Sequence, residues 1–311
     1  MAFRTASAVL VRAPLSVSEP VARMVFVAGY YLWPSKRRII EANAAQVLGL
    51  PRGHRAVARL ARGIYATYSR FVIEIMRLPG LPADEPERLM RLEGDDHRRF
   101  MELWRTCQEE GRGIIAVSGH IGSIEVFAGA YARLGIPTYG LADDSAFPEL
   151  FELLNRSRAR WGVTIIPWRR LRDIFRVMRR PAILGMVVDW GYRADDMPVR
   201  LFGAWTTLPA GPATLAARSG AVLVPVVARR RPDGRYDSVM YEPIRPIDAS
   251  PAGLSRATQA LADALEDMIR RAPEQWYTFK PMWPASRAEG AALAARAAQN
   301  EVGAGAAGSG S

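Results

Sequence analysis

Between Gly113 and Glu125 the chain reads Gly113-Ile114-Ile115-Ala116-Val117-Ser118-Gly119-His120-Ile121-Gly122-Ser123-Ile124-Glu125. Its first half, Gly113–Ser118, is a short apolar run of the length and composition of a buried strand. A break at Ser118-Gly119-His120 follows, and Ile121–Leu134 then fits an amphipathic helix. The same alternation continues downstream. Apolar runs at Thr138–Ala142, Val163–Ile166, Ala182–Asp189 and Ala221–Ala228 are separated by helical stretches at Phe147–Trp161, Trp168–Arg180 and Pro209–Arg218. Strands alternating with helices of this length make βαβ units. They predict an α/β fold with a mostly parallel central sheet flanked by helices on both faces. Tyr236–Tyr241 adds a strand and Leu254–Arg271 a closing helix.

Upstream the pattern is helical. Ile39–Leu48 and the longer Ala56–Leu78 carry apolar residues at helical spacing, and Pro79, Gly80 and Pro82 stop the second. This predicts a helical N-terminal layer on a single α/β domain over residues 35–286. No signal peptide is expected at the N-terminus, since Pro14, Glu19 and Pro20 interrupt any apolar core. The apolar run Val21–Trp33, within residues 1–34, is too short to span a bilayer. Its aromatic end, followed by Lys36, Arg37 and Arg38, suits a helix lying in the membrane interface, and it equally suits an ordinary core helix. Residues 287–311 are rich in Ala, Gly and Ser and read as a fraying helix running into a disordered tail.

Composition narrows the partners. The 311 residues are 49% hydrophobic, enough for a large core, and carry a net charge of +11. Only Lys36 and Lys280 are lysines, so the positive charge is almost all arginine. Such a balance implies an anionic partner. Cys107 alone can form neither an intramolecular disulfide nor a cysteine zinc site, and three histidines (His54, His97, His120) leave little for a metal. No zinc-finger, RNP or basic-heptad pattern points to nucleic acid. The G-x-S-x-G elbow of serine hydrolases and the glycine patterns of dinucleotide and P-loop proteins are missing as well.

In parallel sheets, ligands bind beyond the carboxyl ends of strands, which is where His120 falls. Glu125 follows five residues later. On a regular helix these positions are roughly 140° apart. The two side chains meet only if His120 occupies the turn before the helix and reaches back over it, a turn for which Gly119 and Gly122 supply backbone freedom. A carboxylate on one ring nitrogen would make the other a general base for a hydroxyl. A capping histidine beside a surface glutamate fits the same spacing.

His120-Ile121-Gly122-Ser123-Ile124-Glu125 resembles the H-x4-D/E box of glycerolipid and lipid A acyltransferases. The blocks Arg180–Asp189, Leu201-Phe202-Gly203, Pro209–Ala213 and Ser219–Val226 follow in the order found in the lipid A late acyltransferase family, which is related to the phosphatidylinositol mannoside acyltransferases. Arg38–Leu48, with Asn43, and Glu274–Tyr277 through Trp283 resemble it too. The resemblance spans roughly residues 35 to 285. It implies transfer of an acyl group from a thioester, on coenzyme A or acyl carrier protein, to a hydroxyl of a lipid acceptor, with no further cofactor and no metal. By resemblance His120 is the base and Glu125 orients it. Asp143 and Asp189 stand at strand ends where relatives carry acidic residues; the resemblance implies that they bind acceptor hydroxyls or reinforce the histidine, and either is also a fit N-cap or turn residue. Backbone N–H groups at the start of the Ile121 helix are candidates for holding the oxyanion. The resemblance also implies work at an anionic membrane surface, peripheral on the cytoplasmic side of the inner membrane.

Nine arginines lie between Arg156 and Arg180, with Asp173 the only acid. Trp168, Leu171, Ile174, Phe175 and Met178 recur among them at helical spacing. The helix therefore has an apolar and a cationic face, suited to anionic lipid, a carrier protein, the phosphates of coenzyme A, or solvent alone. Arg158, four residues before Gly162, matches an arginine of the resembling family and is the leading phosphate-binding candidate. The competing function is a non-catalytic basic protein that binds anionic membranes.

Overall fold

A computed structural model describes residues 2–142, 148–245 and 247–307. Four helices open the chain: α1 (Ala2–Arg12), α2 (Leu15–Leu32), α3 (Pro34–Leu48) and α4 (Arg55–Arg77). Gly49 ends α3 in the left-handed conformation, and the His54 ring accepts the Ala56 N–H to start α4. The short α5 (Glu85–Leu89), β1 (Met90–Arg91) and α6 (Asp95–Glu109) follow. Then β2 (Ile114–Ser118), α7 (Ile124–Arg133), β3 (Thr138–Ala142), α8 (Pro148–Arg160), β4 (Val163–Pro167), α9 (Leu171–Met178) and β5 (Ile183–Val187) alternate, as the sequence predicts. A hairpin of β6 (Met197–Leu201) and β7 (Ala204–Leu208) stands apart from the main sheet. The chain closes with α10 (Gly211–Ser219), β8 (Val222–Arg230), β9 (Tyr236–Met240), α11 (Pro251–Arg271) and α12 (Arg287–Ala307).

The seven-stranded sheet runs β1-β9-β8-β2-β5-β3-β4, and only the β8–β9 pair is antiparallel. The central strand β2 alternates its side chains between two cores. Ile114 and Ala116 pack with Phe100, Phe127 and Tyr131 of α6 and α7. Ile115 and Val117 pack with Leu215, Leu261 and Leu265 of α10 and α11. Both faces of the strand are therefore dry, which explains its unbroken apolar run. Register decides the site. Ser118 of β2 lies opposite Val187 of β5. His120 and Asp189, each two residues further on, therefore leave the sheet side by side.

The N-terminal layer is fastened by aromatic rings. Tyr30 of α2 meets Tyr65 of α4 at 5.8 Å, Tyr65 meets Phe279 at 5.1 Å and Tyr68 meets Tyr277 at 5.7 Å. The first two are edge-on and the third is tilted, and aromatic pairs of this kind add about 0.5–1.5 kcal/mol each to the area they bury. They tie the layer to segment 276–280, which borders the site. At the other end the helix expected after residue 287 is α12, with Leu293 and Ala297 buried. Alanine is the strongest helix former, and its small side chain lets α12 lie close on α11 and the β6–β7 hairpin.

Candidate active site

The loop from β2 to α7 holds His120 by its backbone. Gly122 has φ +60°, and a Cβ there would stand 1.8 Å from the Ala228 carbonyl oxygen, so only glycine fits. The Gly122 N–H donates to the Gln275 carbonyl, and the Ser123 N–H to that of Ala228. The Ser123 hydroxyl then caps α7 by accepting the Val126 N–H. The helix begins only at Ile124, so His120 lies in the turn, as its proposed role required.

Its partner is not Glu125. His120 Nδ1 is 2.7 Å from Oδ1 of Asp189. The His120 backbone N–H donates to the same carboxylate, at 3.0 and 2.9 Å. Trp276 Nε1 donates to Asp189 Oδ2 at 2.8 Å. The Asp189 side chain is wholly buried, while a third of the His120 side chain is exposed. Burial alone would raise the Asp189 pKa, but the charge of His120 and the three donors outweigh it and hold the carboxyl below its ordinary range. Burial likewise pushes His120 down, and the adjacent Asp189 more than offsets this, so the imidazole is a stronger base than a free histidine; Lys280 opposes it. With Nδ1–H directed at the carboxylate, the lone pair sits on Nε2, which among the described residues has no hydrogen-bond partner. The Trp190 ring stands edge-on to the imidazole at 5.1 Å.

Glu125 faces away and is gripped by Arg158 in a two-point fork, Nε to Oε2 at 2.8 Å and Nη2 to Oε1 at 2.5 Å. Both side chains are largely buried, at 12% and 14% exposure. The expectation that Glu125 orients the histidine does not match this geometry, and Arg158, expected as a phosphate ligand, spends Nε and Nη2 on that carboxylate. The pair is a clamp between α7 and the last turns of α8. Asp143 lies outside the described residues. The N–H groups proposed for an oxyanion are also taken: Ile121 donates to the Gly119 carbonyl, and Gly122 and Ser123 donate as above.

Two cavities flank segment 279–280. One, about 390 Å³ and mostly apolar, opens between α2 and α4 beside Phe26, Trp33, Tyr68 and Phe279. The other, about 460 Å³, is bordered by Trp190, Lys280 and Trp283. Trp276 and Asn43 each stood only inside a resembling block, with no role attached. Asn43, buried in α3, donates to the Lys280 carbonyl at 2.9 Å and accepts the Met282 N–H at 3.2 Å, fixing the segment that separates the cavities.

A model of the bacterial lipid A biosynthesis acyltransferase family matches residues 8–284. The chain belongs to that family. It is similar to the phosphatidylinositol mannoside acyltransferase of Mycolicibacterium smegmatis, at 28% identity over 284 residues, covering 88% of each chain. It is 25% identical over 258 residues to the protein of the same name in Mycobacterium tuberculosis, covering 80% of this chain and 78% of that one. The lipid A biosynthesis lauroyltransferase of Escherichia coli is 30% identical over 183 residues, 57% of this chain and 58% of that one. Family membership makes the chain an acyltransferase of lipid biosynthesis. It disfavours the non-catalytic alternative.

Proposed function

We propose that the enzyme moves a fatty acyl group from a thioester, on coenzyme A or acyl carrier protein, to a hydroxyl of a glycolipid or phospholipid at a membrane surface. The observation that carries this is the His120–Asp189 pair, with a free Nε2 facing out of the carboxyl edge of the sheet. His120 is the general base. Nε2 takes the proton of the acceptor hydroxyl as its oxygen attacks the thioester carbonyl. The tetrahedral oxyanion collapses, the C–S bond breaks, and the imidazolium returns the proton to the departing thiolate. The products are an ester and a free thiol. Asp189 is a positioning residue: it holds the tautomer and stabilises the imidazolium that forms.

The apolar cavity at Phe26, Trp33 and Phe279 suits the acyl chain, since it is within the size range of small-ligand pockets and lies directly behind the segment next to His120. Exposed apolar side chains favour a membrane-facing role for α2. Val17, Val21, Met24, Val25, Leu32 and Trp33 are all at least half exposed. On the edge of α9, Trp168 and Leu171 are exposed among Arg170, Arg172 and Arg176, whereas Ile174 and Met178 are buried. Apolar side chains among arginines suit the headgroup region of anionic lipid. Among the described residues no helix is long and apolar enough to cross a membrane. We place the enzyme peripherally, on the cytoplasmic side of the inner membrane.

The test offers radiolabelled palmitoyl-coenzyme A, and separately palmitoyl-acyl carrier protein, with bacterial lipid extracts. Phosphatidylinositol mannosides and lipid A precursors are tried first, after the relatives' names. The expected result is a labelled lipid whose label is released by mild alkali, as an oxygen ester requires. Absence of labelled lipid with both donors would overturn the proposal.

A further inference from the structure

Only two of the chain's 42 basic residues are lysines, and both stand at the cavities beside His120. Lys36 donates to the Phe279 carbonyl and lines the apolar cavity. Lys280 lines the other, where its ammonium lies 5.3 Å from the centre of the Trp190 ring, the same ring that meets the His120 imidazole. Lys280 thus lies one indole away from the reacting nitrogen, and its charge is felt by the imidazole.

This cleft is rigidly built. The Trp190 indole N–H donates to the Val187 carbonyl, which fixes the plane of the ring. Gly191 has φ +93°, and a Cβ there would press to 2.9 Å from the Lys280 Cβ, so the turn after Asp189 fits against the lysine stem only as glycine. The Tyr192 N–H donates to the Pro281 carbonyl at 2.8 Å, and Asn43 clamps the same segment from below. Arg193 is held at its backbone by Thr207, through both N–H and carbonyl. Among the described residues neither Lys280 nor Arg193 forms an ion pair, and the acid at the rim, Glu289, is bonded to Ser286. The Arg193 charge is shared with Asp196, so the cleft presents the Lys280 ammonium, which has no ion-pair partner among the described residues, beside aromatic faces. Aromatic faces take the C–H surface of a sugar or a pantetheine chain, and a compact ammonium takes a phosphate oxygen.

We propose that the Lys280 cleft is a phosphate subsite, binding the phosphoryl group of a substrate whose reacting atom lies at His120. The shared chemistry is a phosphate on a polyol or amide chain. It belongs to a lipid headgroup on the acceptor side and to the phosphopantetheine arm on the donor side. The subsite's part in the reaction rests on the acyl-transfer reading above; its occupancy by phosphate does not.

The lysine count makes a direct test practical. Reductive methylation with 13C-formaldehyde gives two lysine signals besides the α-amino group, and Lys280→Arg assigns them by loss of one. Coenzyme A and glycerophosphoinositol are then titrated separately. The expected result is a saturable shift of the Lys280 signal with one probe while the Lys36 signal stays. A shift with coenzyme A assigns the donor phosphate, and a shift with glycerophosphoinositol the acceptor phosphate. In the transfer assay, Lys280→Gln then raises KM for the matching substrate about tenfold or more, with kcat changed less than about threefold, and Lys280→Arg recovers most of the loss. A Lys280 signal that neither probe moves, in protein that transfers acyl groups, overturns the subsite and leaves the acyl-transfer reading intact. A signal that moves in protein without transfer activity supports the subsite and removes that reading.

Discussion

Replacing Asp189 by asparagine separates the two carboxylates that sequence reasoning offered to His120. The side chain keeps its shape and loses its charge. Three donors converge on it, from the His120 ring, the His120 backbone and the Trp276 indole. An amide has one oxygen for them, and its NH2 would face an N–H. The imidazole then loses the partner that fixes Nδ1–H and stabilises its protonated form. Positioned general bases contribute roughly 10²- to 10⁴-fold in rate. Asp189→Asn should therefore lower kcat by about that factor, roughly 3–5 kcal/mol of transition-state stabilisation. The direction of the pH profile is also fixed. Asp189 raises the His120 pKa, so without it the acid limb of kcat/KM moves to lower pH. Glu125→Gln, which weakens the Arg158 fork and leaves the imidazole alone, should not move that limb. Initial rates between pH 5 and 9 on the three proteins decide the matter. If Asp189→Asn keeps both the rate and the pH profile of the wild type while Glu125→Gln shifts them, the assignment of Asp189 is wrong.

Other consequences are checked by stability and specificity. Gly122→Ala sets a Cβ against the Ala228 carbonyl at a positive φ, and should cost about 3 kcal/mol or more, read as a loss of soluble protein or a fall in Tm of at least about 6 °C. Arg158→Met strands a largely buried Glu125 and should cost about 2–4 kcal/mol in urea unfolding; adding Glu125→Leu should recover at least about 1 kcal/mol, and strict additivity would show the pair is uncoupled. Gly29 lines the apolar cavity within reach of Tyr65, so Gly29→Leu should shorten the preferred acyl donor, as measured by competing C12, C14 and C16 thioesters. The His120–Asp189 pair also links stability to pH. Its Asp189 share is complete above about pH 4 and is lost as pH falls through the depressed folded value; its His120 share is complete below about pH 6.5 and is lost as pH rises through the raised folded value. Unfolding free energies should show this extra stability between those limits in the wild type and not in Asp189→Asn.

Local pattern carried most of the sheet. Strand β2 and most of β8 are dry on both faces and read as unbroken apolar runs, while β3, β4, β5 and β9 were visible as short runs rich in apolar and β-prone residues between helical stretches. The β6–β7 hairpin was not, since Arg200 and Trp205 interrupt its pattern. Its two-residue turn, Phe202-Gly203, uses a non-glycine residue at φ +49° where Asn-Gly or Asp-Gly would have been recognisable. The site divided in the same way. His120 was legible from its place after a strand. Asp189 was legible only as a strand-end acid with several roles open to it, because it reaches His120 through the pairing of β2 with β5, 69 positions away, and register is a tertiary property. Glu125 drew attention by proximity in sequence, and helix geometry argued against it: a residue on the first turn of α7 points toward α8, where Arg158 waits. Exposure of Trp168 and Leu171 was hidden for a related reason. Helical spacing placed them on the apolar face of α9, but that helix begins only at Leu171, so Leu171 at its start and Trp168, three residues before it, stand clear of the core.

The measurement that bears most directly on the whole account is acyl transfer by His120→Ala. Purified wild-type and variant protein, matched by circular dichroism and Tm, are given the same radiolabelled thioester and acceptor lipid. Label in the lipid is followed alongside release of free thiol. The account expects stoichiometric ester and thiol from the wild type, and a rate at least about a hundredfold lower from the variant. A folded His120→Ala protein that labels lipid at the wild-type rate would contradict it.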